Sequence, residues 1–181
     1  RKQVLTVKDP VGSVTTYAYD ANGNRTSLKD ALGNMTSATY SANGLQLTST
    51  DALNNTTSFD YDTVGNLIRQ TDPLGNVTTY TYDASGNRLS ESKTRTVGGV
   101  TETLTTTFQY DKLGRQTKVT YPNNSTTETI YNSIGQRSAM IDQLGRQTSY
   151  QYDEMGRLAH TSYPDGTEEK SEYDFEGRRT K

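Results

Sequence analysis

The sequence predicts an all-β fold: an antiparallel meander of β-hairpin repeats, 21 residues each, forming a curved or spiralling single-layer sheet. Three observations predict it. A Tyr-Asp-x-x-Gly core recurs at a fixed interval, every interval holds two turn signals, and the short segments between turns alternate with a period of two. Tyr19, Tyr40, Tyr61 and Tyr82 are spaced by 21 residues, as are Tyr110, Tyr131, Tyr152 and Tyr173; only the step from Tyr82 to Tyr110, at 28, departs. A fixed period of this size marks a repeat architecture. The whole chain, 1–181, reads as one array, entering and leaving in mid-pattern as a piece of a longer one.

The first turn signal is Asp72-Pro73-Leu74-Gly75 and its variants beginning at Asp9, Asp30, Asp51, Tyr121, Asp142 and Tyr163. The second follows each repeated Tyr: Tyr19-Asp20 to Gly23, Tyr61-Asp62 to Gly65, Tyr82-Asp83 to Gly86, Tyr110-Asp111 to Gly114, Tyr152-Asp153 to Gly156 and Tyr173-Asp174 to Gly177. Asp supplies a side-chain acceptor at the first turn position and Gly tolerates positive φ at the fourth. The pattern predicts type I turns closed by a glycine bulge in three-residue hairpin loops. Asn54 and Asn124 replace Gly as the residue that best tolerates a left-handed backbone, and Ser41 and Asn132 replace Asp as alternative acceptors.

Six or seven residues separate successive turns, an ordinary strand length, and such short loops make neighbours antiparallel. One face carries Thr15, Tyr17, Tyr19, then Thr57, Phe59, Tyr61, Thr78, Tyr80, Tyr82, Thr148, Tyr150 and Tyr152. The other carries Ser58, Asp60, Ser149, Gln151, Glu168 and Lys170. Return strands place Leu28, Leu47, Ile68, Leu89, Val119 and Met140 on the aromatic side. About sixteen strands at ~4.8 Å make a narrow ribbon, which should curl with its aromatic face inward. The long interval has Gly98-Gly99 between β-rich flanks and predicts a longer hairpin over about 87–110, projecting as a tongue.

Composition narrows the function. A mean hydropathy of −0.88 suggests disorder, but the formal charge is only −2 and 13 Tyr supply buriable surface. A pI near 5.5 disfavours a nucleic-acid partner, and no apolar run approaches the ~20 residues of a membrane span. The start, Arg1-Lys2-Gln3, lacks an apolar signal region. With no Cys there is no disulfide frame or thiolate site. The recurring carboxylates read as turn caps, because a residue present in every unit does not mark one catalytic site. His160 is the only His and falls on the polar face, which argues for surface placement over catalysis. Arg25, Arg88, Arg115, Arg146, Arg157 and Arg178 read as a solvated face. No enzyme, metal or cofactor is expected. Tyr17, Tyr80 and Tyr150 are candidate glycan contacts if the aromatic stripe lies open, and core or lumen lining if it does not.

The segments Tyr-Asp-Ala-Asn-Gly-Asn-Arg at 19–25, Tyr-Asp-Ala-Ser-Gly-Asn-Arg-Leu at 82–89 and Tyr-Asp-Glu-Met-Gly-Arg-Leu at 152–158 resemble the YD repeats of Rhs proteins. That family includes bacterial polymorphic toxins, the cocoon subunits of insecticidal toxin complexes and the animal teneurins. The resemblance implies a hollow shell of spiralling β-sheet around a C-terminal toxin, in a secreted or cell-surface bacterial protein. Its partners would be the rest of its own shell and the enclosed toxin. Glycan-mediated adhesion is the alternative, and open sheet edges would permit self-association. The segment that carries autoproteolysis in such proteins has no counterpart among these residues, so no catalytic role is carried over.

Overall fold

The computed structural model describes residues 3–181; Arg1 and Lys2 of the basic start lie outside it. The strands are β1 (Thr6–Lys8), β2 (Val14–Tyr19), β3 (Arg25–Lys29), β4 (Met35–Tyr40), β5 (Gln46–Thr50), β6 (Thr56–Tyr61), β7 (Leu67–Thr71), β8 (Val77–Tyr82), β9 (Arg88–Val97), β10 (Val100–Tyr110), β11 (Gln116–Thr120), β12 (Thr126–Tyr131), β13 (Arg137–Ile141), β14 (Gln147–Tyr152), β15 (Leu158–Ser162) and β16 (Glu168–Lys170). They form one open, 16-stranded antiparallel sheet in chain order, and no helix occurs among the described residues. The chain divides into two compact units, Arg1–Tyr82 with Glu91–Leu104, and Asp83–Ser90 with Thr105–Lys181.

Every connection but one has the same local chemistry. In the first unit the Gly12 N–H donates to the Asp9 carbonyl at 3.0 Å, and the Asp9 N–H to the Ser13 carbonyl at 3.0 Å. This pair of bonds closes a type I turn with a left-handed fourth residue, where φ is 93° at Gly12. Asn54 and Asn124 hold the same place with φ of 65° and 63°. The exception is Gly98-Gly99, where both residues have positive φ, as a two-residue hairpin turn requires. It joins strands of 10 and 11 residues, with Thr96 and Thr101 hydroxyls 3.1 Å apart and Arg95 paired with Glu102.

The two hairpin classes differ in one respect. Across the Asp-Pro class the register runs straight, as in Thr71 opposite Val77 and Arg69 opposite Thr79. Across the Tyr-Asp class it slips by one: Tyr61 stands opposite Leu67 but Asp60 opposite Arg69, so Ile68 is skipped as a β-bulge. The same slip skips Thr26, Leu47, Thr117, Ser138 and Ala159. The period explains it. An odd 21-residue repeat on a regular ladder would put equivalent residues on opposite faces in successive units; one extra residue per unit restores the face. In the first unit Tyr17 stands opposite Leu28 and Leu28 opposite Thr36, two residues short of Tyr17's equivalent, Ala38. In the second, Phe108, Val119 and Thr127 line up in the same way, two short of Thr129. Each repeat is therefore staggered by two residues over two strands.

The bulge also corrects the expected aliphatic stripe. Leu28, Val119 and Met140 share one ladder position, opposite Tyr17, Phe108 and Thr129. Leu47 and Ile68 are instead the skipped residues, with no residue directly opposite, and they, Leu89 and Met140 are all exposed. Among the described residues only Val119, Ala139 and Thr161 are buried, so packing comes from half-buried side chains on neighbouring strands rather than from a closed core.

Candidate functional site: the Tyr-Asp hairpins

In the hairpin at Asp153 one carboxylate oxygen, Oδ1, accepts from the Met155 and Arg157 N–H groups at 3.0 and 2.8 Å. The other, Oδ2, accepts from Arg157 Nε at 2.7 Å. Asp20, Asp62, Asp83 and Asp111 make the same three contacts with their own turns. Asp174 accepts from the Arg178 N–H and Nε. Where Asp is replaced, Ser41 Oγ accepts from the Leu45 N–H and Asn132 Oδ1 from the Gln136 N–H. Gly23, Gly65, Gly86, Gly114, Gly156 and Gly177 close these turns with φ from 75° to 97°.

The repeated tyrosines are half-buried and bind one repeat to the one before it. The Tyr61 hydroxyl donates to the Gln46 carbonyl at 2.9 Å, Tyr82 to Leu67 at 2.9 Å, Tyr152 to Arg137 at 2.9 Å and Tyr173 to Leu158 at 2.8 Å. Tyr40 and Tyr131 do the same with Arg25 and Gln116, and Tyr110 reaches Arg88 across the long interval. Gln46, Leu67 and Arg137 are the residues opposite the preceding Tyr, at the edge of the bulge. A bulge disturbs the ladder and leaves backbone groups in want of partners; the next repeat's phenol supplies one. Tyr19 stands opposite Arg25 and is half-buried as well.

Four of the arginines read as a solvated face also clamp their own turns; Arg146 and Arg178 remain exposed as expected, whereas Arg115 and Arg157 are half-buried. Arg115, Arg146, Arg157 and Arg178 sit where other turns carry Asn24, Asn34, Asn55, Asn66, Asn76 or Asn87, and each donates Nε to its turn's Oδ2 at 2.7 Å. Two of them also reach the next repeat, with Arg115 4.3 Å from the Tyr131 ring centre and Arg157 4.6 Å from that of Tyr173. Arg157 Nη1 further donates to the Asp174 carbonyl at 3.1 Å, and Gln136 Nε2 to the Gly156 carbonyl at 2.8 Å. The signal was present in the sequence: the residue after the turn glycine is a side-chain donor in nearly every unit.

Comparison with known proteins fits this geometry. The family model described as RHS Repeat matches residues 1–35, 61–101, 99–126 and 131–168, most of the chain. The chain belongs to the RHS-repeat family. A search of curated proteins found no match. Among solved structures, an RHS-repeat chain of this fold is similar to a mutant Photorhabdus luminescens Tc holotoxin pore, with 17% identity and a TM-score of 0.59 over 97% of this chain and 12% of that one. A TcdB2-TccC3 crystal structure gives 15% identity and a TM-score of 0.60 over 94% and 12%. The RHS array thus spans about an eighth of the length of these chains.

The remaining sequence candidates fall as follows in the RHS array. Tyr17, Tyr80 and Tyr150 are half-buried on the aromatic face. The Arg25 guanidinium lies 5.9 Å from the Tyr17 ring centre, and the Tyr150 hydroxyl is 3.5 Å from the Met140 sulfur. His160 is on the polar face, between Gln151 and Lys170, but is half-buried rather than at the surface, with Nε2 3.2 Å from Glu168 Oε2. Among the described residues no three His, Cys, Asp or Glu side chains gather as a metal site. The turn carboxylates are dispersed, each committed to its own hairpin.

Those commitments shift the carboxylates' acidity. Hydrogen bonding from Asn24, Asn66 and Asn87 side chains holds Asp20, Asp62 and Asp83 below the usual carboxylate value, and the Arg115 side chain does so for Asp111. For Asp153 the Arg157 backbone N–H is the larger cause. A carboxylate whose pKa is lower folded than unfolded stabilises the fold above its unfolded value, about 3.9, and that contribution is lost as pH falls through the folded one. Denaturant stability should therefore be flat from pH 7 to about 5 and decline below about pH 4. Urea titrations at stepped pH check this; stability that held or rose on acidification would show the carboxylate caps to be idle.

Proposed function

We propose that this RHS array is a non-catalytic structural module, a wall segment of a shell that encloses a C-terminal toxin or other cargo, in a secreted or surface-exposed bacterial protein. The observation that carries the reading is the combination of bulge and stagger. The bulge keeps the phenol-bearing side constant from repeat to repeat, and two residues of stagger over two strands equal one residue per strand. An eight-stranded barrel with that ratio has strands tilted by about 36°. Where a sheet curls round a space its strands must tilt and its register must stagger, and this array supplies that stagger in every repeat. The named similarity to toxin-complex structures supports the same reading.

Glycan recognition is the alternative, and it needs ring faces free to stack on a sugar. The half-buried setting of Tyr17 and Tyr150 supports wall packing over that role. Two measurements separate the readings. In a protein carrying this array ahead of a C-terminal cargo, the cargo should survive protease levels that digest it when free; digestion at the free-cargo rate would reject encapsulation. A glycan-array titration of the wild type with Tyr80→Ala and Tyr150→Ala should show no binding lost on mutation. A measurable affinity abolished by either substitution would favour adhesion.

A further inference from the structure

Two hairpins of the first unit share an Ala-Asn-Gly core. Asp20-Ala21-Asn22-Gly23 and Ser41-Ala42-Asn43-Gly44 hold the chain's two Asn-Gly steps, each closing a Tyr-Asp-class turn, and both steps are exposed. Such a step carries its own chemistry, because the Asn carboxamide carbon is within reach of the next backbone nitrogen and glycine puts no Cβ in the way. Once the Gly N–H has given its proton to solvent, the nitrogen attacks Asn Cγ. The N–Cγ bond forms, the Cγ–Nδ2 bond breaks, and ammonia leaves behind a five-membered succinimide. Water then opens the ring, at Cγ to give Asp or at the main-chain carbonyl to give isoaspartate. The folded turn opposes the first step. The Gly23 N–H donates to the Asp20 carbonyl at 3.1 Å and the Gly44 N–H to the Ser41 carbonyl at 3.0 Å, so the attacking nitrogen is released only when its turn opens.

We infer that Asn43-Gly44 is a site of spontaneous succinimide formation in the folded chain, and that Asn22-Gly23 is protected by its turn. The two differ in what opening breaks. Asp20 Oδ1 accepts from the Asn22 and Asn24 N–H groups at 3.0 and 2.9 Å, and Oδ2 from Asn24 Nδ2 at 2.9 Å. Among the described residues Ser41 Oγ accepts once, from the Leu45 N–H at 3.1 Å. Bonds to a carboxylate are about twice as strong as neutral ones, so the Asp20 turn opens far more rarely. Charge acts in the same direction, because the Asp20 carboxylate disfavours an anionic nitrogen at Gly23 while Ser41 is neutral. Related steps elsewhere are slower. Asn123 precedes Asn124, whose Cβ crowds the nitrogen. Asp165 before Gly166 reacts only as the neutral acid, which the Thr167 N–H and hydroxyl oppose by donating to its Oδ1 at 2.9 and 2.6 Å. Isoaspartate at position 43 carries the chain through the side-chain carbon, one atom longer, so the bond from Gly44 to Ser41 no longer fits and the hairpin between β4 and β5 loosens. Tyr40 stands opposite Gln46 across that hairpin, and the Tyr61 hydroxyl binds the Gln46 carbonyl, so the loosening reaches the next repeat. The step needs only water and stands whether or not the array encloses a cargo.

Peptide mapping by mass spectrometry, on the full chain aged in warm, mildly alkaline buffer, tests it. The Asn43 peptide should gain the mass of an amide-to-acid change at least about tenfold faster than the Asn22 peptide. Its product should divide into Asp and isoaspartate forms, the second accepting a methyl group from a protein isoaspartate methyltransferase. In concentrated urea, where neither turn exists, the two rates should come together. Ser41→Asp should slow conversion at Asn43 about tenfold. Asp20→Ser with Asn24→Leu, which copies the turn at Ser41 and Leu45, should quicken conversion at Asn22 to the Asn43 rate. These residues open and close such turns natively, so folding, checked by circular dichroism and thermal melting, should be unchanged. Equal rates at the two sites in the folded chain, or a faster Asn22, would overturn the inference. An Asn43 that stays intact while the urea-unfolded chain converts would do so too, as would Ser41→Asp converting at the wild-type rate.

Discussion

Tyr61→Ala should lower the unfolding free energy by about 2–3 kcal/mol, whereas Tyr61→Phe should cost about 1. The larger loss combines a half-buried aromatic ring with the 2.9 Å bond from its hydroxyl to the Gln46 carbonyl. The smaller removes only the hydroxyl and leaves a partly buried carbonyl short of its donor. The bond joins adjacent repeats, so hydrogen exchange should quicken first in β5 and β6, as nearest-neighbour coupling requires. Urea midpoints for both variants provide the check. If Phe costs as much as Ala, the ring contributes nothing; if Ala costs under about 0.5 kcal/mol, the phenol does not bind repeat to repeat.

Gly135→Val should cost about 2–3 kcal/mol, against about 1–2 for Gly75→Val. Both glycines have positive φ, 91° and 82°, where a β-branched side chain is strained. They differ in surroundings. A Cβ on Gly135 would lie 3.0 Å from Arg115 Nη1, while one on Gly75 meets nothing within 4 Å. Arg115 is held by Asp111 and lies over Tyr131, so it yields only by giving up a contact. Thermal melts of the two variants measure the difference. Equal losses would mean that the Tyr-Asp hairpins stand independently of one another.

The meander, the turn chemistry and the aromatic face were legible because each rests on local rules. Asp, Asn and Gly declare a turn within four residues, and Asn54 and Asn124 announce their left-handed backbone by replacing Gly. The partners were less legible, since they lie one repeat away. Nothing local tells that the Tyr61 hydroxyl meets Gln46, or that Arg157 faces Tyr173. The bulge was hidden for a different reason. It follows from parity, because an odd repeat cannot keep Tyr17 and its later equivalents on one side of a two-residue pleat unless one residue is passed over. Ile68 and Leu47 were accordingly given a regular place on the ladder, where the bulge leaves them without a residue opposite.

The skipped residue gives the array tolerance to small changes in length. If Thr117 were lost, Lys118 would follow Gln116 directly and still stand opposite Gln109, as it does now, leaving a regular ladder. Units of 20 and 21 residues can thus be spliced in any order without turning the ribbon inside out. A lineage could trim single codons from such a gene and keep every ring on its own side, which gives a long tandem array room to drift in sequence while its outline stays fixed.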